Sequence, residues 1–424
     1  MPQIMVNWEH NYTNDCIPNF SNNMDVPRHR WYEFKEGFGN TLVERAIIET
    51  RKTRGINDLT VLDPFSGSGT SPLTALQNNC DAIGLEVNPF MNFIGKTKSI
   101  SLTKDKKEYI KELNEILSNR SIEIESPLEK ISTFTSNESN KKWLFNKSVL
   151  RGFEALNGHI NKIEDADIFR LALFTSVMQC CNAKKDGKCL RYKKKWDTLG
   201  YSSLELRSLF ARNANQIIND IIENPLCSGN RKFVNKDSRK AISELPNQSV
   251  DLVIFSPPYL NSFDYSDIYR PELFLGGYVK NNSELRLIRK ETLRSHVQYK
   301  WDKCDKSHSL WAQNIAQQIQ DHEDMLWNKD IPNMINSYFY DMEQIFKEAY
   351  RVATSGAQLW LVIATSSYAG IEIPVDLILA DIAAGQGWSL KNVNALRKLR
   401  TSSQCSSEDI RKIRLRESLI ICEK

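Results

Sequence analysis

The chain has 424 residues, 25% of them charged and 41% hydrophobic, with a formal net charge of +4. That length can bury a large core and hold a main domain with a second lobe, and the balance of charged and apolar residues is that of an ordinary globular protein. Nine cysteines without regular spacing argue against a disulfide framework, no run of about 18 apolar residues offers a membrane span, and the first 23 residues lack a signal-peptide core; a cytoplasmic protein is expected.

In chain order, residues 1–27 are polar and asparagine-rich and are expected to be irregular. The aromatic stretch from Trp31 to Asn40 leads into a helix expected over 41–52. An apolar strand over 60–62 then runs into the turn Asp63-Pro64-Phe65-Ser66-Gly67-Ser68-Gly69-Thr70 and a helix over 72–78. Glycines let the backbone approach a ligand where a Cβ would collide. Asp63, at the strand end, is placed to accept hydrogen bonds from a ligand's polar tail. A second strand, 82–86, ends on Glu86, about 20 residues past the glycines, where open α/β sheets bind ribose hydroxyls. No Gly-Lys-Ser/Thr follows the turn, which excludes a P-loop, and the third glycine of a dinucleotide fingerprint is missing.

From 103 to 229 apolar residues recur at helical spacing, as in Leu150-Phe153-Leu156, and the segment reads as a helical insertion. Within it, Lys184, Lys185, Lys188, Arg191, Lys193, Lys194 and Lys195 interleave with Tyr192 and Trp196, a pattern that fits a phosphate backbone. Cys180, Cys181 and Cys189 cluster there without a second pair or a nearby histidine, so no metal is expected. The sheet resumes over 232–237, ending on Asp237, whose bland role is a helix N-cap. The run 250–255 reads as a buried strand that stops at Ser256-Pro257-Pro258-Tyr259. Two prolines there remove donors and leave carbonyl oxygens pointing outward beside an aromatic ring, which suits a flat heterocycle carrying an exocyclic amine. A long segment, 260–333, follows; inserts of this length beside a site are usually functional. A helix over 338–352, a strand over 358–364, a helix over 371–386 and strands near 390–395 and 418–422 complete the expectation, with Arg397, Lys398 and Arg400 as further phosphate contacts.

Asp63 to Thr70 matches the pattern Asp-Pro-Phe-x-Gly-Ser-Gly-Thr, and Ser256 to Tyr259 matches Ser/Asn/Asp-Pro-Pro-Tyr/Phe. Together they resemble the amino-methyltransferases of DNA, the bacterial modification methylases that use S-adenosylmethionine. The resemblance covers roughly 28–100 and 230–424 and fades over 103–228. It implies a Rossmann-like class I methyltransferase fold: an α/β three-layer sandwich on a mostly parallel sheet, its catalytic domain formed by 28–102 and 230–424, with the helical lobe 103–229 and the insert 260–333 added. It implies that S-adenosylmethionine is held by Lys35, Phe38, Asp63, Pro64, Phe65, Gly67, Gly69, Thr70, Glu86, Asn88, Asp237 and Ser256. In the family, a segment like that around Lys35 and Phe38 touches the methionine end of the cofactor, and an acidic residue placed like Asp237 meets its adenine amine.

The resemblance further implies a double-stranded DNA substrate, a flipped-out base, a bacterial, nucleoid-associated setting and a cognate restriction endonuclease as partner; it leaves the oligomeric state open. Ser256 and the carbonyl of Pro257 would hold the amine's protons, with Pro258 and Tyr259 completing the catalytic motif. A neutral serine at its head favours cytosine N4 over adenine N6 as the target. Cytosine C5 is excluded because its chemistry uses a Pro-Cys dipeptide, which the chain lacks. An RNA or protein-glutamine methyltransferase, and a non-catalytic adaptor that keeps the fold, are the rival readings.

Overall fold

The computed structural model describes residues 5–7, 20–118, 124–131, 133–136, 142–186, 189–226, 229–302, 306–399 and 415–424. Its strands are β1 (Thr60–Asp63), β2 (Asp81–Leu85), β3 (Ala183–Asp186), β4 (Cys189–Tyr192), β5 (Arg231–Val234), β6 (Val250–Phe255), β7 (Ala353–Ala364), β8 (Ser366–Tyr368), β9 (Ile371–Ile373), β10 (Ser389–Lys398) and β11 (Arg416–Glu423). Seven form one sheet in the order β10-β11-β7-β6-β1-β2-β5. Within it β11 alone runs against its neighbours β7 and β10, while the pairs from β7 to β5 are parallel. The fold is thus a mostly parallel α/β sandwich, as the resemblance implies.

Strand residues alternate between the two faces. On β6, Leu252 and Ile254 pack with Val43 and Ile47 of the helix Asn40–Arg54 and with Ala75 of the helix Thr70–Gln77. Val253 and Phe255 face the opposite layer, made by the helices Leu310–Gln320, Ile331–Val352 and Val375–Gly385. A central strand buried on both faces reads as a continuous apolar run, which is why 250–255 was recognisable. The helix Asn40–Arg54 stops at Gly55, whose φ of 66° turns its N–H onto the Arg51 carbonyl.

The chain between β2 and β5 adds the helices Lys106–Ser118, Lys147–Ile160, Asp167–Gln179 and Ser203–Glu223. Their core extends to Trp31, Tyr32, Phe90 and Met91, so this lobe packs on the lead-in segment and on the helix Pro89–Lys98. The lobe is not purely helical: the basic segment forms the antiparallel hairpin β3–β4. The segment after Tyr259 carries the short helices Tyr265–Ile268, Arg270–Leu275 and Asn282–Glu291 before Leu310–Gln320. The helix expected over 371–386 begins later: Ile371-Glu372-Ile373 pairs with Ser366–Tyr368 as a hairpin, and Pro374 precedes the helix Val375–Gly385. The strand expected from 358 begins at Ala353.

Candidate active site

Asp63, Glu86, Asp237 and Ser256 lie at or just beyond the carboxyl ends of β1, β2, β5 and β6, and all four line one cavity of about 360 Å³. It opens beside β1, where successive strands switch from one side of the sheet to the other, the position at which open α/β sheets bind ligands. Lys35, Phe38, Pro64, Phe65, Gly67, Thr70, Asn88, Pro257, Pro258 and Tyr259 share its wall.

Asp63 is almost fully buried. Its carboxylate accepts from the N–H of Phe65 at 2.9 Å and from the hydroxyl of Ser71 at 2.5 Å, so it holds the glycine turn in shape. Burial pushes its pKa up to about 7, against the pull of those two donors. Glu86 takes the N–H of Gly67 at 2.9 Å on one oxygen and that of Asn88 at 2.7 Å on the other. The Val87 N–H is a third backbone donor to this carboxylate. Burial raises this carboxyl to about 7 as well, although the backbone donors oppose it. Asn88 caps the helix Pro89–Lys98 by accepting from Phe90 at 3.0 Å.

The two glycines serve different ends. Gly67 has a φ of +48°, and a Cβ on it would stand 2.7 Å from the ring of Phe34. That ring stacks on Tyr269, with centroids 5.9 Å apart, and both line the cavity. Gly69 is not in the lining. Its φ is +84°, and a Cβ there would come within 2.6 Å of the Gly95 Cα, so it permits helix packing behind the site.

Asp237 is the helix N-cap of its bland reading and also stands in the cavity lining. It caps the short helix Ser238–Ala241 by accepting from the Arg239 N–H at 3.0 Å. Its carboxylate pairs with the Arg239 guanidinium at 2.8 Å, and Arg239 reaches Asp341 at the same distance. The Lys35 ammonium donates to the Lys185 carbonyl at 3.1 Å.

At the proline motif the Tyr259 hydroxyl donates to Glu417 Oε1 at 2.6 Å. Ser256 Oγ donates to the Tyr259 oxygen over a long 3.4 Å. Glu417 is nearly buried, and Arg397 Nε meets its other oxygen at 2.6 Å from the register-paired position on β10. Burial holds the Glu417 carboxyl above the usual carboxylate range, though Arg397 and Tyr259 draw it back. Neither Glu417 nor this place for Arg397 was expected. Asn261, Phe263, Tyr265 and His296 also line the cavity. Burial keeps the His296 imidazole below its ordinary value, and a ring nitrogen lies 3.1 Å from the Thr292 hydroxyl.

The basic hairpin divides. Lys184, Arg191, Lys194 and Lys195 are exposed, with Arg191 paired to Asp186 at 2.8 Å. Lys185 departs from the expectation of a phosphate contact. Its ammonium pairs with the fully buried Glu272 at 2.6 Å, donates to the Tyr32 hydroxyl at 2.8 Å and sits 3.8 Å from the centre of the Tyr269 ring. Lys193 is likewise engaged, donating to the Gln179 carbonyl at 3.0 Å and lying 4.8 Å from the Tyr201 ring centre. Lys188 and Arg400 lie outside the described residues. Among the described residues no helix is long and apolar enough to cross a membrane.

No protein-family model matches the chain. It is similar to the type II methyltransferase M.AvaI of Nostoc sp. (strain PCC 7120), 27% identical over 417 residues that span 90% of this chain and 83% of that one. It is 26% identical to M.BsoBI of Geobacillus stearothermophilus, over 97% of this chain and 88% of that one. M.MvaI of Kocuria varians is 21% identical over 76% of this chain and 73% of its own. Among solved structures, a SAM-dependent methyltransferase of Methanosarcina mazei covers 87% of this chain and 93% of its own at a TM-score of 0.28 and 10% identity. A Thermus thermophilus protein assigned as a DNA modification methylase covers 44% of this chain at 0.23 and 14% identity, so this chain spans about half, 51%, of that one. Superpositions this loose carry no weight beside the sheet order itself.

Proposed function

We propose that this relative of the type II methyltransferases is an S-adenosylmethionine-dependent DNA methyltransferase acting on the exocyclic N4 of a flipped-out cytosine. The observation that supports it is one cavity lined by Asp63, Glu86 and Asp237 together with Ser256-Pro257-Pro258-Tyr259.

The residues present fit the cofactor. Glu86 offers carboxylate acceptors to ribose hydroxyls, Asp237 offers an acceptor to an adenine amine, and the rings of Phe34 and Phe65 give apolar cover. Lys35 and Phe38, also in the lining, are available to the amino-acid end. When bound, S-adenosylmethionine supplies a methyl group activated by a sulfonium. Ser256 Oγ and the Pro257 carbonyl accept hydrogen bonds from the two N–H groups of the substrate amine, which otherwise conjugates with its ring, and so free its lone pair; the nitrogen, once it carries the methyl, releases one of those protons to solvent. The work is positioning and electrostatic, with no covalent intermediate on the chain. Tyr259 and Phe263 supply ring surface for the extruded base. The exposed Lys184, Lys194 and Lys195 supply contacts to phosphates of double-stranded DNA.

Cytosine is preferred to adenine because Ser256 offers a neutral hydroxyl where an Asp or Asn is commoner for adenine. DNA modified by the chain, digested to nucleosides and weighed by mass spectrometry, should contain N4-methylcytosine. N6-methyladenine alone would move the target and keep the site.

A further inference from the structure

A serine hydroxyl has one proton and two lone pairs. Aimed into the cavity, the Ser256 proton would meet an amine donor against donor, and the residue would be useless as an acceptor. The neighbours of Ser256 dispose of that proton. The nearly buried Glu417 accepts a hydrogen bond from the Tyr259 hydroxyl at 2.6 Å. The Tyr259 oxygen, its own proton committed, is left to accept, and it lies 3.4 Å from Ser256 Oγ. Catalytic hydrogen bonds are often this long before the reactants are in place. Arg397 fixes the far oxygen of Glu417 at 2.6 Å.

We propose that Tyr259 and Glu417 form a relay that withdraws the Ser256 proton from the cavity and makes Ser256 a pure acceptor toward the substrate amine. Glu417 and Arg397 are then positioning residues, and the Tyr259 hydroxyl has a task separate from its ring. The relay rests on the amine-methylation reading given above.

The test is a mutant cycle on methyl transfer to DNA, with Ser256→Ala, Tyr259→Phe and the double variant. Melting temperature checks folding, and calorimetry checks cofactor binding. Tyr259→Phe keeps the ring, so the Km for DNA and the Kd for S-adenosylmethionine should stay within about twofold while kcat falls roughly tenfold. The double variant should be no slower than Ser256→Ala alone, because the hydroxyl acts only through Ser256. Glu417→Gln, whose amide oxygen still accepts from Tyr259, should fall between wild type and Tyr259→Phe in kcat. An active wild type with Tyr259→Phe at full kcat, or with single losses that multiply in the double variant, overturns the relay and leaves the function standing. A wild type that binds S-adenosylmethionine and methylates no DNA overturns both.

Discussion

Asp63 bears a charge that its surroundings resist. Its ordinary value is 3.8, and burial carries it to about 7 in the fold. Between those values the folded chain binds more protons than the unfolded chain, so this group makes stability fall as pH rises through the window. Asp63→Asn keeps the shape, still accepts from Phe65, and cannot titrate. In the ligand-free protein, the melting temperature of the variant minus that of the wild type should grow from about pH 4 to about pH 8 and level off above. A difference independent of pH would show that Asp63 is not the titrating group. Asp63 and Glu86 were legible because a carboxylate where an apolar run ends has few bland explanations. Their backbone partners were not, since those arise from how the glycine turn curls. Glu417 was wholly illegible. It opens a strand behind Arg416, where a charge reads as solvent-facing, and Tyr259 is 158 positions away.

At the scale of elements, the basic stretch was legible as a cluster and misread as a uniform one. A hairpin alternates its side chains, so neighbouring lysines go different ways: Lys184 outward and Lys185 inward, with Lys193 just beyond β4 tied back to Gln179. Neutralising Lys184, Lys194 and Lys195 together should weaken DNA binding across all sequences and lower the slope of log affinity against log salt by roughly 1 for each phosphate left without its lysine. Lys193→Ala should leave that slope unchanged. Equal effects from both, measured by fluorescence anisotropy over a salt series, would refute the division. The same period explains β9. Ile371-Glu372-Ile373 alternates as a strand does, yet it stands directly before a strongly apolar helix and was absorbed into it. Pro374, which lacks an N–H, marks the true boundary.

At the scale of the whole molecule, the sheet was legible because its parallel strands are nearly unbroken apolar runs, while the docking of the lobe was not. Two buried carboxylates hold that docking: Asp220 of the lobe accepts from Arg30 and Trp31 of the lead-in segment, and Glu272 takes Lys185. The Lys185 ammonium joins the hairpin to Glu272 of the helix Arg270–Leu275 and to Tyr32 of the lead-in segment, in a cage whose Tyr269 also donates to Glu36 on the cavity wall. Lys185→Met strands a buried carboxylate and should cost about 3–5 kcal/mol. Adding Glu272→Gln removes the stranded charge and should recover part of the loss. Chemical denaturation of the two variants decides, and a double variant no more stable than the single would show that the stranded charge is not the cause.

The Tyr259–Glu417 bond also has a consequence in time. Joining residues so far apart closes a very long loop of chain, and contacts of that kind form late and slowly. During refolding, helical signal can therefore recover while the Ser256 and Tyr259 hydroxyls are still unplaced, and methyl transfer should return after it.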